Sequence, residues 1–411
     1  MKLNAILIAT LLFSLFSCQA QEPAQNKVSV NKVVEAPILQ TGAEMLMQDL
    51  SILNNKNVAL VVNPTSMVKN QHLLDVLVDK GVAVKKIFAP EHGFRGTADA
   101  GEKIIDGIDS KSGLPVISLY GSHKKPTKTD LEGIDIVIFD IQDVGVRFYT
   151  YISTLHYVME ACAENNVELL VLDRPNPNGN RIDGNVLYMD YSSFVGMHPV
   201  PVLHGMTIGE YALMINGERW LENGIKCQLT VLKCYGYTHD MPYSLPVKPS
   251  PNLPNDRAIF LYPSTCFFEG TVISEGRGTP FPFQVFGAPE IDKNIVHYAF
   301  TPKSMEGAKY PKFENKTCYG YNISKPIDNF EEQKGINLTY LISMYNLYPD
   351  KENFFLKNGF FDKLAGGTAL RKAIINGLTE EEIKATWQED LNEFKEMRKQ
   401  YLLYPDFEEQ N

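Results

Sequence analysis

The sequence predicts an α/β protein whose first and larger part contains a mostly parallel β-sheet. Between residue 45 and about residue 235, short apolar runs rich in Val and Ile alternate with amphipathic segments. Strands that alternate with helices form βαβ units, in which neighbouring strands are parallel. From about residue 290 onward, aromatic strand-like pieces and a final helix predict a second, smaller α+β domain.

The individual elements follow from hydrophobic periodicity and from stop signals. The predicted strands are 58–63, 84–88, 116–119, 134–139 and 168–172, and the predicted helices between them are 72–80, 150–165 and 207–222. No Gly-x-Gly-x-x-Gly motif follows the first strand, and no Walker-type phosphate loop occurs. The sequence therefore predicts a Rossmann-like sheet without the usual nucleotide site.

A capping box of Thr379 and Glu382 marks the start of the last helix, which is predicted to continue to about Tyr401. Apolar residues recur along it at intervals of three and four, which indicates one packing face. They are Ile383, Trp387, Leu391, Phe394 and Met397.

Composition limits the possible functions. A hydrophobic content of 44% and a charged content of 21% are typical of a soluble globular protein. The net charge of −10, without a basic run, leaves no electrostatic basis for binding nucleic acid. Apart from Cys18 there are five cysteines and no Cys-x-x-Cys pair, and no His-x-x-x-His spacing occurs. We therefore predict buried free thiols and neither a metal nor a cofactor.

The N-terminus predicts export. Residues 1–17 contain Lys2 and an apolar stretch from 5 to 16, which is typical of a signal peptide and too short for a membrane-spanning helix. Residues 15–18 resemble a lipoprotein box, so Cys18 is predicted to carry a lipid, with cleavage after Ala20 as the alternative. We predict a periplasmic or cell-envelope protein with a tether over 18–45 and two domains over 46–289 and 290–411.

Five polar clusters follow predicted strands or lie in loops rich in Gly and Pro. The first is Glu-His-Gly-Phe-Arg-Gly at 91–96, and the others are 140–149, 173–179, 204–207 and 269–278. The C-terminal ends of parallel strands lie at one edge of a sheet, where open α/β sheets bind their ligands. We therefore expect these clusters to form one pocket.

The clusters provide candidate residues for the chemistry of a carbohydrate. Glycoside cleavage needs an acid that protonates the leaving oxygen and usually a second carboxylate. Glu91 lies beside an apolar strand and close to other carboxylates, so it is the predicted acid. The candidate catalytic residues are Glu91, His92 and Asp143. The candidate substrate-binding residues are Arg95, Asp140, Arg147, Tyr149, Arg174, Asn176, Asn178, His204, Glu269, Glu275 and Arg277.

Structural interpretations of the same residues stay open. Asp140 and Asp143 would then pair with Arg147, residues 173–176 would form a rigid turn, and His204 would satisfy a buried loop. An esterase or amidase is not favoured, because the chain has neither a Gly-x-Ser-x-Gly elbow nor a zinc set.

With its polar clusters in this order, the chain resembles the NamZ exo-β-N-acetylmuramidase family. The matching stretches are 63–66, 89–96, 119–121, 140–152, 173–179, 201–210, 249–254, 262–289 and 387–404. The resemblance implies a Rossmann-like domain and a smaller auxiliary domain with the active site in the cleft between them. It also implies release of N-acetylmuramic acid from the non-reducing ends of peptidoglycan glycans, with Glu91 as the leading catalytic residue.

Two points stay open at this level. The second carboxylate is Asp143, Glu269 or Glu275, or the substrate's own acetamido group takes its place. An arginine fork suits the lactyl carboxylate of muramic acid, and the candidates are Arg95, Arg147, Arg174 and Arg277. The competing class is a non-catalytic envelope lipoprotein that binds cell-wall sugars.

Overall fold

Seven strands form the central sheet of the computed structural model, which describes residues 38–91, 93–95, 107–325 and 335–407. The strands in the first part of the chain are β1 (Val58–Val62), β2 (Met67–Val68), β3 (Gln71–His72), β4 (Val84–Ala89), β5 (Gly107–Ile108), β6 (Pro115–Ser118), β7 (Ile136–Asp140), β8 (Glu168–Leu172), β9 (Ile182–Asp183), β10 (Leu203–His204) and β11 (Leu229–Leu232). All five predicted strands are present.

The order of strands in the central sheet is β11-β8-β7-β1-β4-β6-β5. Its pairs are parallel except for β5 with β6 at one edge. The chain first builds outward from β1 through β4 to β6, then returns to β7 on the other side of β1. That reversal gives the Rossmann strand order and creates a crevice beyond the C-terminal ends of β1 and β7. The predicted Rossmann-like, mostly parallel fold is confirmed.

The helices are α1 (Gly42–Leu46), α2 (Leu73–Asp79), α3 (Tyr151–Asn165), α4 (Ile208–Gly217), α5 (Asp256–Thr265), α6 (Thr339–Leu347), α7 (Phe360–Ala365), α8 (Ala369–Ile375), α9 (Glu380–Ala385) and α10 (Gln388–Lys399). The helix α3 ends at the predicted stop, where Asn166 takes a left-handed conformation (φ 54°). No helix within the described ranges is long and apolar enough to cross a membrane.

The prediction of one continuous final helix is wrong. It is divided into α9 and α10 at Thr386 and Trp387. The Thr386 hydroxyl donates to the Ile383 carbonyl at 2.7 Å, a side-chain bond that competes with the regular backbone pattern. The predicted packing face is retained, because Ile383, Trp387, Leu391 and Phe394 are all buried.

The last residues of the predicted tether form regular structure. Gln40 pairs with Tyr235, and Thr41 is the N-cap of α1, with a complete capping box. A Cβ on Gly42 would lie 2.3 Å from the carbonyl oxygen of Leu232, so only glycine allows this close approach. The last residues assigned to the tether therefore belong to the folded domain.

Burial on both faces of the sheet explains why its central strands are continuous apolar runs in the sequence. All five residues of β1 are buried, and so are all five of β7. One face packs on α1 and α2, and the opposite face forms a larger core with α3, α4 and C-terminal residues such as Trp387 and Phe394. The five cysteines of the described chain are buried free thiols.

The smaller second domain contains a three-stranded antiparallel sheet. Its strands are β12 (Val285–Ala288), β13 (Tyr298–Phe300) and β14 (Cys318–Asn322), with β14 in the centre. Because β12 precedes residue 289, this sheet draws strands from both sides of the domain division predicted there.

Candidate active site

A cavity of about 210 Å³ lies where loops of the parallel sheet meet loops from 249–283. Its wall combines carboxylates, one guanidinium, hydroxyls and aromatic rings. The lining residues are Glu91, Tyr120, Phe148, Tyr149, Thr150, Tyr151, Phe194, Val195, Ser250, Asn252, Leu253, Tyr262, Glu269, Arg277, Phe283 and Phe360. Fifteen of the sixteen lining residues precede the domain division predicted at residue 289, and Phe360 alone among them follows it.

Glu91 is placed by the C-terminal end of β4, two residues beyond Ala89. Tyr120 follows β6, and its hydroxyl donates to Oε1 of Glu91 at 3.1 Å. The hydroxyl of Thr150 donates to Oε2 of Glu91, also at 3.1 Å. Burial, followed by the charge of Glu91, raises the pKa of Tyr120 far above its ordinary value, so the phenol keeps its proton as a donor. Two hydroxyls from different loops thus fix both oxygens of this carboxylate at the cavity wall.

Glu269 and Arg277 form a second charged group in the cavity wall. Nη2 of Arg277 donates to Oε1 of Glu269, and Nε of Arg277 lies 3.6 Å from Oε1 of Glu275, too far for a hydrogen bond. Nζ of Lys312 lies 3.2 Å from Oε2 of Glu275. One guanidinium is therefore shared unequally between two carboxylates, of which Glu269 lines the cavity.

These two carboxylates differ in their tendency to hold a proton. Burial raises the pKa of Glu269 despite the nearby charge of Arg277. Burial also acts to raise the pKa of Glu275, but the charges of Lys312 and Arg277 outweigh it and the net pKa is lowered. Environments that separate the pKa values of neighbouring carboxyls are a mark of acid–base sites.

Aromatic rings form much of the remaining wall. The Tyr149 hydroxyl donates to the Pro249 carbonyl at 2.7 Å, and its ring meets that of Tyr151 edge to face at 5.0 Å. Tyr262 meets Phe283 in the same way at 4.9 Å. Rings fixed by such contacts form a rigid apolar surface against which a sugar ring can pack.

Other predicted residues lie deeper, beneath the sheet edge. Nε and Nη2 of Arg174 donate to the two oxygens of Asp140 at 2.6 and 2.9 Å, and Nη2 also donates to the Met67 carbonyl at 3.0 Å. This buried pair lies at the crevice between β1 and β7. The pairing considered for Asp140 was with Arg147, so the structural interpretation named the wrong partner.

Arg147 is fully buried and donates to three backbone carbonyls, those of Asn185, Val200 and Leu364, at 2.7, 2.7 and 3.0 Å. Burial lowers the pKa of this guanidinium to about 9. The side chain therefore ties three segments together and does not line the cavity.

Asp143 and His204 form a second buried pair, with Nε2 of His204 3.8 Å from Oδ2 of Asp143. That oxygen accepts the backbone N–H of Gly145 at 2.7 Å. Burial raises the pKa of Asp143 to about 7 and lowers the pKa of His204 to about 3. The imidazole of His204 is thus neutral at neutral pH, whereas Asp143 gains or loses its proton near that pH, and neither residue lines the cavity.

The two asparagines also act within the fold. Nδ2 of Asn176 donates to the Met206 carbonyl at 2.9 Å, and Nδ2 of Asn178 donates to the Val144 carbonyl at 2.8 Å. Gly145 has a φ of +74°, and a Cβ there would lie 2.2 Å from Nδ2 of Asn176. Glycine is therefore required where the two loops cross.

Apart from Glu91, no described residue of the Glu-His-Gly-Phe-Arg-Gly cluster lines the cavity. Arg95 donates to both oxygens of Asp109 at 2.8 and 2.9 Å, and it lies outside the cavity wall. His92 and Gly96 fall outside the described residues. Of the predicted site residues, the cavity thus brings together Glu91, Tyr149, Glu269 and Arg277.

Several residues of the site were not selected from the sequence. Tyr120 follows a predicted strand, so its position carried the same signal as that of Glu91. Ser250 and Asn252 lie in a Pro-rich loop, which pointed to function without identifying a residue. Lys312 had no local signal, because it is distant in sequence from the carboxylate that it contacts.

One acidic group of the described chain has carboxylates close enough to hold a metal ion: Glu160, Glu164 and Glu222. Nζ of Lys125 already contacts Glu160 and Glu164 at 2.6 and 2.7 Å. A protein cation therefore neutralises this group, which contributes nothing to the cavity wall.

Two carboxylates, a guanidinium and aromatic rings around one cavity define a site of the glycoside-hydrolase kind, at the sheet edge where α/β proteins bind ligands. Family comparison agrees with this class. The model of the N-terminal domain of exo-β-N-acetylmuramidase NamZ matches residues 58–257, and that of its C-terminal domain matches residues 260–404. The chain belongs to the NamZ exo-β-N-acetylmuramidase family.

Individual relatives support the same assignment. The peptidoglycan β-N-acetylmuramidase NamZ of Bacillus subtilis (strain 168) is 39% identical over 97% of this chain and 99% of its own length. Two crystal structures of DUF1343 family proteins from Bacteroides fragilis NCTC 9343 are similar in fold. One has a TM-score of 0.83 and 48% identity over 90% of this chain and 100% of its own. The other has a TM-score of 0.75 and 31% identity over 89% and 99%.

Proposed function

We propose that this protein is an exo-acting glycosidase that hydrolyses the terminal β-N-acetylmuramyl linkage of peptidoglycan glycans. Water adds across the glycosidic bond, which releases N-acetylmuramic acid and leaves a hydroxyl on the next sugar. The observation that carries the proposal is the convergence of Glu91, Glu269 and Arg277 on one aromatic-lined cavity. The activity named for the Bacillus subtilis relative gives independent support.

We assign the general acid to Glu91, whose two oxygens are positioned by hydroxyls of Tyr120 and Thr150. Of the three carboxylates that the sequence left open, Glu269 lines the cavity and Asp143 and Glu275 do not, so we assign the second role to Glu269, with the substrate's acetamido group as the alternative. The raised pKa of Glu269 favours the reverse assignment, with Glu269 as the general acid and Glu91 as the second carboxylate. An activated aryl glycoside distinguishes the two assignments. Its leaving group needs little protonation, so the variant that lacks the general acid keeps most of its activity on this substrate.

Arg277 is our candidate for binding the lactyl carboxylate. Of the four arginines considered, it alone lines the cavity in the described part of the chain, while Arg95 and Arg174 pair with aspartates and Arg147 with carbonyls. A guanidinium carries five donors, and Glu269 accepts one of them. The remaining edge can bind a carboxylate in the two-pronged manner typical of arginine.

The test of the proposal is hydrolysis of N-acetylmuramyl-N-acetylglucosamine by the purified protein. We expect both free monosaccharides, and a much slower reaction with the control N,N′-diacetylchitobiose (called chitobiose below), which lacks only the lactyl group. A chain that binds the muramyl disaccharide but releases no sugar would be the sugar-binding lipoprotein instead.

We further propose that the protein is exported and anchored in the envelope through a lipid on Cys18. The charged start, the apolar stretch and the resemblance of residues 15–18 to a lipoprotein box support this; all three lie outside the described residues. Metabolic labelling with a palmitate analogue should mark the wild type and not Cys18→Ala. Equal labelling of both would place the lipid on a residue other than Cys18, and absence of label from both would favour cleavage after Ala20; either result contradicts the proposed anchor.

A further inference from the structure

Lys312 lies on the connection between β13 and β14, and its ammonium group is surrounded by oxygens from one short loop. Nζ donates to the carbonyls of Phe268 (2.8 Å), Thr271 (3.1 Å) and Ile273 (3.0 Å), and it lies 3.4 Å from that of Glu269. The fifth oxygen is Oε2 of Glu275, at 3.2 Å. We call these five oxygens the oxygen cage.

The oxygen cage has the character of a monovalent-cation site. An ammonium has three donors, so five oxygens within 3.4 Å indicate interaction with a point charge as much as directed hydrogen bonds. Rings of backbone carbonyls bind potassium in the same way, by replacing its hydration shell. Lys312 thus supplies a tethered cation to a loop whose carbonyls converge.

The loop in question carries part of the proposed catalytic site. Residues 268–275 include both Glu269 and Glu275, the two carboxylates between which Arg277 is shared. Since Lys312 balances Glu275, Arg277 stays hydrogen-bonded to Glu269. Without that charge, Glu275 would compete for Arg277, and the carbonyls of the loop would repel one another.

We propose that Lys312 is a positioning residue of the active site: its ammonium holds the 268–275 loop in shape and leaves Arg277 paired with Glu269 at the cavity wall. The proposal rests on the glycosidase function proposed above. Its closest contact with that site is through Glu269 and Glu275, so it acts through other residues and not on the substrate.

The test compares Lys312→Ala with the wild type on the muramyl disaccharide. We expect kcat to fall about 10- to 100-fold with little change in KM, the range for a small displacement of catalytic groups. Propylammonium replaces the lost part of the side chain, and potassium fits the cage, so both should restore activity in part. Choline at equal ionic strength should not. Lys316→Ala is the matched control, because that side chain is exposed on the same connection.

The pH profile of kcat/KM distinguishes a positioning role of Lys312 in the active site from a role in the stability of the fold alone. The charged or titratable groups that act on Glu269 are Arg277, Glu275 and Lys312, with Tyr262 and Cys266 also near it. Loss of one positive charge raises the pKa of both carboxyls, so the acidic limb of kcat/KM should move to higher pH. Propylammonium should move it back.

Several results would overturn the proposal. One is a Lys312→Ala variant with wild-type turnover, and another is a folded, slow variant that neither cation restores and whose pH limb is unchanged. If Lys312→Ala does not fold, Lys312→Met takes its place, because methionine keeps the apolar stem of the side chain. An unchanged acidic limb of kcat/KM in Lys312→Met would also overturn the proposal. Thermal unfolding gives a readout without activity: potassium should raise the midpoint of Lys312→Ala above that in choline and leave the wild type unaffected. Failure of the wild type to release sugar would count against the proposed function alone.

Discussion

Two neighbouring regions at the same edge of the sheet contain similar polar residues at very different depths. In the crevice beyond β1 and β7, the side chains of Asp140 and Arg174 are 0% and 2% exposed and are bonded to each other. Beside it, Glu91, Glu269 and Arg277 line a cavity, and the last two side chains are 20% and 28% exposed. The charges of the first region are satisfied within the protein, and those of the second face a space that a ligand can enter.

This difference shows where the fold binds its ligand. In Rossmann-type sheets, the crevice at the reversal of strand order is the usual ligand site. Here the Arg174 guanidinium closes it, bridging Asp140 and the Met67 carbonyl. The candidate site lies over the loops that follow β4, β6 and β7, together with the loops of residues 249–283. Fold class alone therefore indicates the edge of the sheet but not the loops that build the site.

The largest effect that we expect in the cavity region comes from Glu91→Gln. Glutamine keeps the size of the side chain but cannot donate the proton, so kcat on the natural disaccharide should fall about 10²- to 10⁴-fold. Activity on an activated aryl glycoside should fall much less. Steady-state kinetics on both substrates measures the contrast, and the melting temperature should be nearly unchanged because Glu91 is partly exposed.

Glu269→Gln is the matched comparison, since Glu269 lines the same cavity. If this variant shows the substrate contrast and Glu91→Gln loses both activities, the acid is Glu269. Near wild-type turnover of the disaccharide by Glu91→Gln would remove Glu91 from the chemistry.

In the crevice region, the expected effect is on stability. Arg174→Met leaves the Asp140 carboxylate buried without its partner, which should lower the free energy of unfolding by about 3–5 kcal/mol. Denaturant unfolding measures it. The control is Lys399→Met, because the side chains of Lys399 and its partner Glu396 are 60% and 73% exposed, so that this pair should contribute less than about 1 kcal/mol. Equal losses in both variants would contradict the distinction by depth.

Sequence reasoning predicted the fold more fully than the site. The central strands β1 and β7 were clear because strands buried on both faces are continuous apolar runs. Polar clusters do follow strands of the central sheet, but a sequence motif does not show whether its side chains are buried in the fold or line a cavity. Arg147 and Arg277 are both arginines in Gly-rich loops, and only their three-dimensional surroundings distinguish three buried carbonyls from a cavity wall.

Long-range partners were the other part that the sequence did not predict. Asp140 pairs with Arg174 and Glu275 with Lys312, and neither pair is close in the chain. The break between α9 and α10 was missed for a local reason, since Thr386 continues the helical periodicity while its hydroxyl bonds to the backbone. Periodicity thus identifies buried faces, whereas side-chain hydrogen bonds decide where elements end and which charges meet.

The free energy of unfolding should depend on pH through the buried carboxyl group of Asp143, which does not line the cavity. Its pKa of about 7 in the folded chain exceeds the ordinary value of 3.8, because burial disfavours the charge. Between these values the folded state binds a proton that the unfolded state has released. Stability from this group is therefore complete below pH 3.8 and is lost as the pH rises through about 7, by at most about 4 kcal/mol.

Asp143→Asn should remove this dependence, so its unfolding free energy should fall less than that of the wild type between pH 4 and 8. Urea unfolding at several pH values tests it, with Glu91→Gln as the control from the cavity region. Parallel curves for the wild type and Asp143→Asn would show that Asp143 is ionised in the fold, most simply paired with a protonated His204.

The smallest expected effect concerns selectivity within the cavity. Arg277→Lys keeps a positive charge near Glu269 but loses the two-pronged geometry, so one charged hydrogen bond to the lactyl group should be lost. A loss of about 1.4 kcal/mol, near the lower end for such a bond, raises KM for the muramyl disaccharide about tenfold. The slow hydrolysis of chitobiose should be nearly unaffected, and Arg95→Lys should change neither substrate, because Arg95 lies outside the cavity. If Arg277→Lys slows both substrates equally, Arg277 serves to hold Glu269, and backbone amides near Gly93 and Gly276 become the candidates for the lactyl group.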